Sequence, residues 1–214
     1  MIRVRVGSRH VSVVLSLVFA SSLILFSAPG PQPAYAGSYY RSGAAAYADN
    51  WTSNTDMGEP VRRNSAEYPD WGNDCTNYAS QVLYAGGYPP RGNSDDGCFT
   101  DQWWHPDRPF GIWRWTWSWS VADCQRQYML AHHEFQLWSS SQITSLEAAD
   151  IFQMSQDGSG LPTHSRVTMG AGYDALLGTL ESQLINQHTG DRKHRYWYVA
   201  LDPSWPIWAW HVAW

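Results

Sequence analysis

The chain has 214 residues with 14 basic and 19 acidic side chains, a formal charge of −5. Arg3, Arg5 and Arg9 precede residue 37 with no acidic residue beside them, so the rest carries 11 basic against 19 acidic side chains, a net −8. That sign argues against nucleic acid or an anionic membrane surface as a partner, while 14 tryptophans, most of them expected in a core, leave some scope for a stacking surface.

The first 36 residues join a positive start, the apolar run "VSVVLSLVFASSLILFSA", a "PGPQP" break and the small-x-small site "AYA" at Ala34 to Ala36. This pattern describes a secretory signal peptide cut after Ala36, with a signal anchor as the alternative. A secreted, extracellular protein without a membrane partner after cleavage is expected. Residues 37–214, the remaining 178, have the size of a single domain with its own core, expected to be a monomer.

Along that domain, "SGAAAYADNWTSN" from Ser42 has a capping serine and apolar residues at helical spacing, which predicts a helix. A second helix is expected from Cys75 to Ala85, capped by Asp74 or Asn73 and stopped by Gly86 and Gly87. Helical periodicity returns from about Val121 and runs through "AHHEFQLW". Beyond Glu147 the pattern changes to short strands, "ADIFQM", "HSRVTMG", "LESQLINQH", "RYWYVAL" and "WAWHVAW". Helices first and strands later predict an α+β fold.

Three cysteines in an exported chain leave one over if two pair. Cys98 and Cys124 flank a tryptophan-rich segment and are the expected disulfide, three free thiols being the alternative. Cys75 then stands free at the first turn of a helix, where unpaired backbone N–H groups and the helix dipole favour a thiolate. Acyl transfer also needs a histidine to protonate the leaving amine. Of the eight histidines, His164 opens one expected strand and His188 closes the next. The pleat puts Asn186 and His188 on one face of their strand, so either is a candidate to orient His164. His132 and His133 are expected to be exposed. "HHEF" lacks the two histidines four apart of a helical zinc site, and there is no Cys-x-x-Cys or Gly-rich phosphate cradle. No metal and no cofactor are expected.

"DCTNYASQVLYAGG" resembles the nucleophile helix of the putative amidase domain family, within the papain-like, NlpC-type cysteine peptidase and amidase superfamily. "YYRSGAAAYADNW", "LEAADIFQM", "HSRVTMG" and "NQHTGDRKHR" resemble further elements of that family in the same order. The resemblance implies a papain-like cysteine peptidase fold, with N-terminal helices packed on an antiparallel β-sheet. It implies Cys75 as nucleophile, His164 as general acid and base, and a third, orienting residue at His188 in preference to Asn186. Asp74 and Asn77 match the motif as cap and packing residues. Three positions depart from the family pattern: Ala149 where glycine is common, Thr163 where an acid is common, and Arg166, a strand-edge arginine or a partner for a substrate carboxylate. The resulting expectation is a secreted cysteine amidase or peptidase acting on a peptide or peptidoglycan-like substrate, by hydrolysis or by acyl transfer. A non-catalytic aromatic-rich domain binding carbohydrate or peptide is the alternative.

Overall fold

The computed structural model describes residues 38–93, 96–199 and 201–214. The expected signal peptide lies outside the described residues. Helix α1 (Arg41–Asn50) carries Ala44 and Ala48 four residues apart, and both are fully buried. Its N-cap is Tyr40 rather than Ser42, and no side chain caps it. A tertiary contact takes the place of the local one, because Arg41 reaches Asp150 Oδ1 at 2.7 Å and ties the start of the helix to the sheet.

Helix α2 (Cys75–Ala85) has the predicted bounds and is buried along nearly its whole length. Its stop has a packing cause as well as a conformational one. A Cβ on Gly86 would lie 2.0 Å from the Tyr39 ring, and Gly87 takes φ 92°, which side chains disfavour. Two short helices follow, α3 (Trp117–Ser120) and α4 (Ala122–Ala131), and Cys124 in α4 is joined to Cys98.

The helix expected to run through Trp138 ends at Ala131. His132 is extended, and Phe135–Trp138 forms strand β1, paired antiparallel with the C-terminal strand from Phe135↔Val212 to Trp138↔Ala209. Pairing with a distant strand overrides the local helical period. His132 is also not free at the surface: Thr100 O and Arg91 take its two ring nitrogens.

The remaining strands are β2 (Ile151–Met154), β3 (His164–Tyr173), β4 (Leu180–Gln187), β5 (Arg192–Tyr196) and β6 (Ile207–Val212). They form one antiparallel sheet in the order β1-β6-β2-β3-β4-β5. The fold is α+β as expected. Strand β5 begins three residues before the expected "RYWYVAL" and ends before Trp197, which lies in a turn although its N–H still donates to Gln183 O at 3.1 Å.

The two faces of the sheet are covered differently. Ile151, Val167 and Trp210 face the helices and share a core with Ala79, Val82 and Tyr128. Phe152, Met154, Ile185 and Ala209 face the other way, under Ile143 and Leu146, with Trp197 and Trp205 packed against them. Trp103, Trp119 and Trp210 are fully buried, so much of the aromatic content is core, each such ring contributing roughly 2–3 kcal/mol.

Ala149 explains one departure from the family pattern. It sits at φ 66° with no exposed surface, its N–H donating to Thr168 O and its carbonyl accepting from Tyr39 Oη. Glycine takes this left-handed conformation freely, whereas alanine pays about 1 kcal/mol. The turn serves Asp150, whose carboxylate receives Arg41, His211 and the N–H groups of Glu147 and Val212.

Candidate active site

Cys75 is the first residue of α2 and His164 the first of β3. The first turn of the helix rests on the start of the strand: Thr76 Oγ1 lies 3.2 Å from Ser165 Oγ, and the Ser165 backbone N–H is directed at the Cys75 sulfur. Cys75 lines a cleft of about 260 Å³ together with Asn73, Thr76, Ser120, Val121 and Thr163. It is the free cysteine, 3 % exposed. Asn73 Oδ1 accepts from the thiol at 3.8 Å.

The helix N-terminus does not dominate the electrostatics of the thiol. Burial pushes the Cys75 pKa up, against the stabilising N–H of Ser165 and the hydroxyl of Thr76. His164 is shifted the opposite way. Burial, and then the positive charge of Arg166, lower it from 6.5 to about 3. The resting pair is therefore a neutral thiol and a neutral imidazole, not the thiolate that the helix position alone implies.

The register of β3 and β4 decides which polar group meets His164. Val167 pairs with Asn186 and Thr168 with Ile185, so even-numbered residues of β3 share a face with odd-numbered residues of β4. Gln187 is thus on the His164 face, near enough for its side chain to raise the imidazole pKa against the effect of burial. His164 Nε2 and Gln187 Oε1 are both buried without a hydrogen-bond partner, while Gln187 Nε2 donates to Gly190 O at 2.9 Å.

His188 and Asn186 lie on the opposite, helix-facing side. His188 is stacked on Tyr78 at 3.9 Å between ring centroids, with Nδ1 2.6 Å from Asp74 Oδ2 and Nε2 2.6 Å from Trp51 O. With both nitrogens engaged, it has none to offer His164. Asn186 donates to Asp49 Oδ1 and accepts from the His194 N–H. These two residues brace the helices. His188 holds Asp74, the residue before Cys75, and Asp74 also receives Asn77 Nδ2 at 2.7 Å. Asp74 is the N-cap of α2 by position, but its carboxylate makes no capping bond to the helix backbone.

Arg166 is not at a strand edge. Strand β3 lies inside the sheet, and Arg166 is fully buried on the His164 face, opposite Phe152. Among the described residues no group of three or more His, Cys, Asp or Glu side chains is gathered as a metal site would require.

A model of the family described as "Putative amidase domain" matches residues 38–210, which includes every residue of this site. The chain belongs to that family. It is also similar to the uncharacterized protein YhbB of Bacillus subtilis (strain 168), with 28 % identity over 170 residues, covering 74 % of this chain and 44 % of that protein. The chain thus spans less than half the length of this relative. No solved structure matches it. Membership points to an amidase.

Proposed function

We propose that the protein is a cysteine-dependent amide hydrolase in which Cys75 attacks, His164 carries the proton and Gln187 orients the imidazole. The observation that carries this reading is the junction of α2 and β3, where a lone thiol lines a cleft with Thr163, and the next residue, His164, has its Nε2 buried without a partner on the face it shares with Gln187. The order of cysteine, histidine and polar orienter along helix and strand is also that of the papain-like arrangement.

The chemistry follows from the two neutral groups. As the Cys75 sulfur attacks the amide carbon, its proton passes to the imidazole of His164, and the carbonyl oxygen takes the negative charge. The backbone N–H of Cys75, free at the first turn of α2, is placed to stabilise that oxyanion. His164 gives the proton to the leaving amine, and a thioester remains. Water then adds with His164 as base, releasing the carboxylic acid and restoring the thiol. A hydrogen bond from His164 Nε2 to Gln187 Oε1, two atoms without a partner at rest, would keep the hydrogen on that nitrogen and leave Nδ1 to accept from the thiol.

Secretion and an amide of a bacterial cell-wall peptide as substrate extend the proposal, on the strength of the leader-like first 36 residues and the family resemblance. The test is incubation of the protein with purified peptidoglycan and assay of newly exposed amino and carboxyl groups. The wild type is expected to release both, and Cys75→Ala to release neither while keeping its circular dichroism and melting curve. Release by Cys75→Ala at the wild-type rate would remove the mechanism.

A further inference from the structure

In the proposed reaction the carbonyl oxygen takes a negative charge, and the backbone N–H of Cys75 is a single donor for it. A second donor stands two residues upstream. Asn73 is exposed, lines the cleft with Cys75, and has its Oδ1 3.8 Å from the Cys75 sulfur. Its side-chain hydrogen bonds among the described residues are all made by Oδ1, one from the thiol and one from Thr189 Oγ1 at 3.3 Å. Nδ2, with two hydrogens to give, is left over.

The turn after β4 fixes which way this amide faces. Thr189 Oγ1 accepts the Asp74 N–H at 2.9 Å, so its own hydrogen is free to go to Asn73 Oδ1. One hydroxyl thus holds the two residues that precede the nucleophile. Thr189 does so at φ 62°, a region that β-branched residues rarely enter. Backbone of this kind persists where the surroundings over-determine it, and it clusters at functional sites. Glycine would relieve the conformation at position 189 but would supply no hydroxyl.

The reach is sufficient. Nδ2 shares a carbon with Oδ1 and lies about 2.3 Å from it, so it is no more than about 6 Å from the sulfur. The oxyanion of a tetrahedral adduct sits about 2.7 Å from the sulfur, and a donor about 3 Å from that oxygen falls within the same radius. We infer that Asn73 Nδ2 is a second oxyanion donor, beside the Cys75 N–H, and that Thr189 is the residue that positions it. The inference rests on Cys75 being the nucleophile. As the sulfur gives up its proton to His164 and attacks, Oδ1 keeps the Thr189 hydroxyl while Nδ2 donates to the oxygen that takes the charge.

Two reagents separate this role from that of the nucleophile, because both modify a thiol and only one passes through an oxyanion. p-Nitrophenyl acetate is attacked at its carbonyl carbon: a carbon–sulfur bond forms, the thiol proton goes to His164, and collapse of the tetrahedral adduct expels p-nitrophenolate. Iodoacetamide is attacked at a saturated carbon, loses iodide and builds no oxyanion. Cys98 and Cys124 are bonded to each other, so Cys75 is the thiol that reports. The full chain is treated with each reagent at neutral pH, with Cys75→Ala as the blank, and p-nitrophenolate release and the mass of the alkylated chain are followed. Asn73→Ala should slow acetylation at least about tenfold relative to alkylation. Thr189→Val, which loses only the hydroxyl, should slow it about three- to tenfold on the same scale, and Thr189→Ser should restore the wild-type ratio. If Asn73→Ala changes both rates equally or neither, the oxyanion donor is overturned and the nucleophile stands; alkylation without acetylation in the wild type has the same meaning. Modification of the wild type by neither reagent without denaturation would overturn both.

Discussion

The two faces of strand β4 near its end carry the same kinds of polar residue and treat them in opposite ways. On the helix-facing side every group is answered: Asn186 has Asp49 and the His194 N–H, and His188 has Asp74 and Trp51 O. On the other side His164 Nε2, Gln187 Oε1 and two nitrogens of Arg166 are buried without a hydrogen-bond partner. A satisfied buried network stabilises one arrangement of the backbone, whereas an incomplete one is costly to keep. On the proposed function, the contrast separates residues that hold the fold from residues that serve the reaction, and type alone does not make that separation, since a histidine stands on each side.

The sharpest way to break the contrast is to exchange the roles of the two histidines' surroundings. His188→Phe keeps the stack on Tyr78 but leaves Asp74 short of a partner and Trp51 O with none from this side chain. We expect a loss of about 3 kcal/mol in chemical denaturation, with kcat of the folded fraction changed less than about tenfold. The reverse pattern, full stability with a large fall in kcat, would make His188 the orienting residue that the family resemblance implies. Gln187→Ala is the complementary change. It should lower kcat by about ten- to a hundredfold, roughly 1.4–2.7 kcal/mol, with KM little altered. Gln187→Glu should in addition move the acid limb of the pH profile upward, because a carboxylate beside His164 favours the imidazolium, and a merely structural glutamine would not produce that shift.

Much of this was legible in the residues. The bounds of α2, the free Cys75, the pairing of Cys98 with Cys124 and the placement of His164 at a strand start all follow from local signals: a glycine pair, a cysteine count, a loop before a strand. What was not legible depended on partners far along the chain. Strand β1 reads as helix until Val212 is opposite Phe135. The third site residue depends on parity, and parity depends on the β3–β4 hairpin. Tyr173 pairs with Leu180, and the six-residue loop between them is closed by Asp174, whose carboxylate accepts from the N–H groups of Leu176 and Leu177. A loop one residue longer or shorter would have put Asn186 and His188 on the His164 face instead. The irregularities around Gly170 hide that count further, although they cancel before Val167. Arg166 was noticed as an oddity, but only the position of β3 inside the sheet turns it into a buried, unpaired cation.

The incomplete face also has a signature in stability against pH. His164 is buried neutral with its pKa lowered from 6.5 to about 3. Between those values the unfolded chain binds a proton that the folded one refuses, so folding stability must fall as pH falls, at about 1.4 kcal/mol per pH unit from this group. The sign is opposite to that of a histidine held by an acid, whose contribution is lost as pH rises. Chemical denaturation of the wild type and of His164→Gln between pH 6 and pH 4 isolates the effect. The variant should be less sensitive to acid by about 1 kcal/mol per unit, whatever its activity. Parallel curves would mean that His164 protonates in the folded protein, as it would if a carboxylate or water already neutralised Arg166, and the distinction between a completed and an incomplete face would then disappear. A smaller adjustment tests the backbone that carries the strand next to it: Ala149→Gly should leave stability unchanged or raise it by up to about 1 kcal/mol, since glycine takes φ 66° without strain and its greater freedom in the unfolded chain offsets part of the gain.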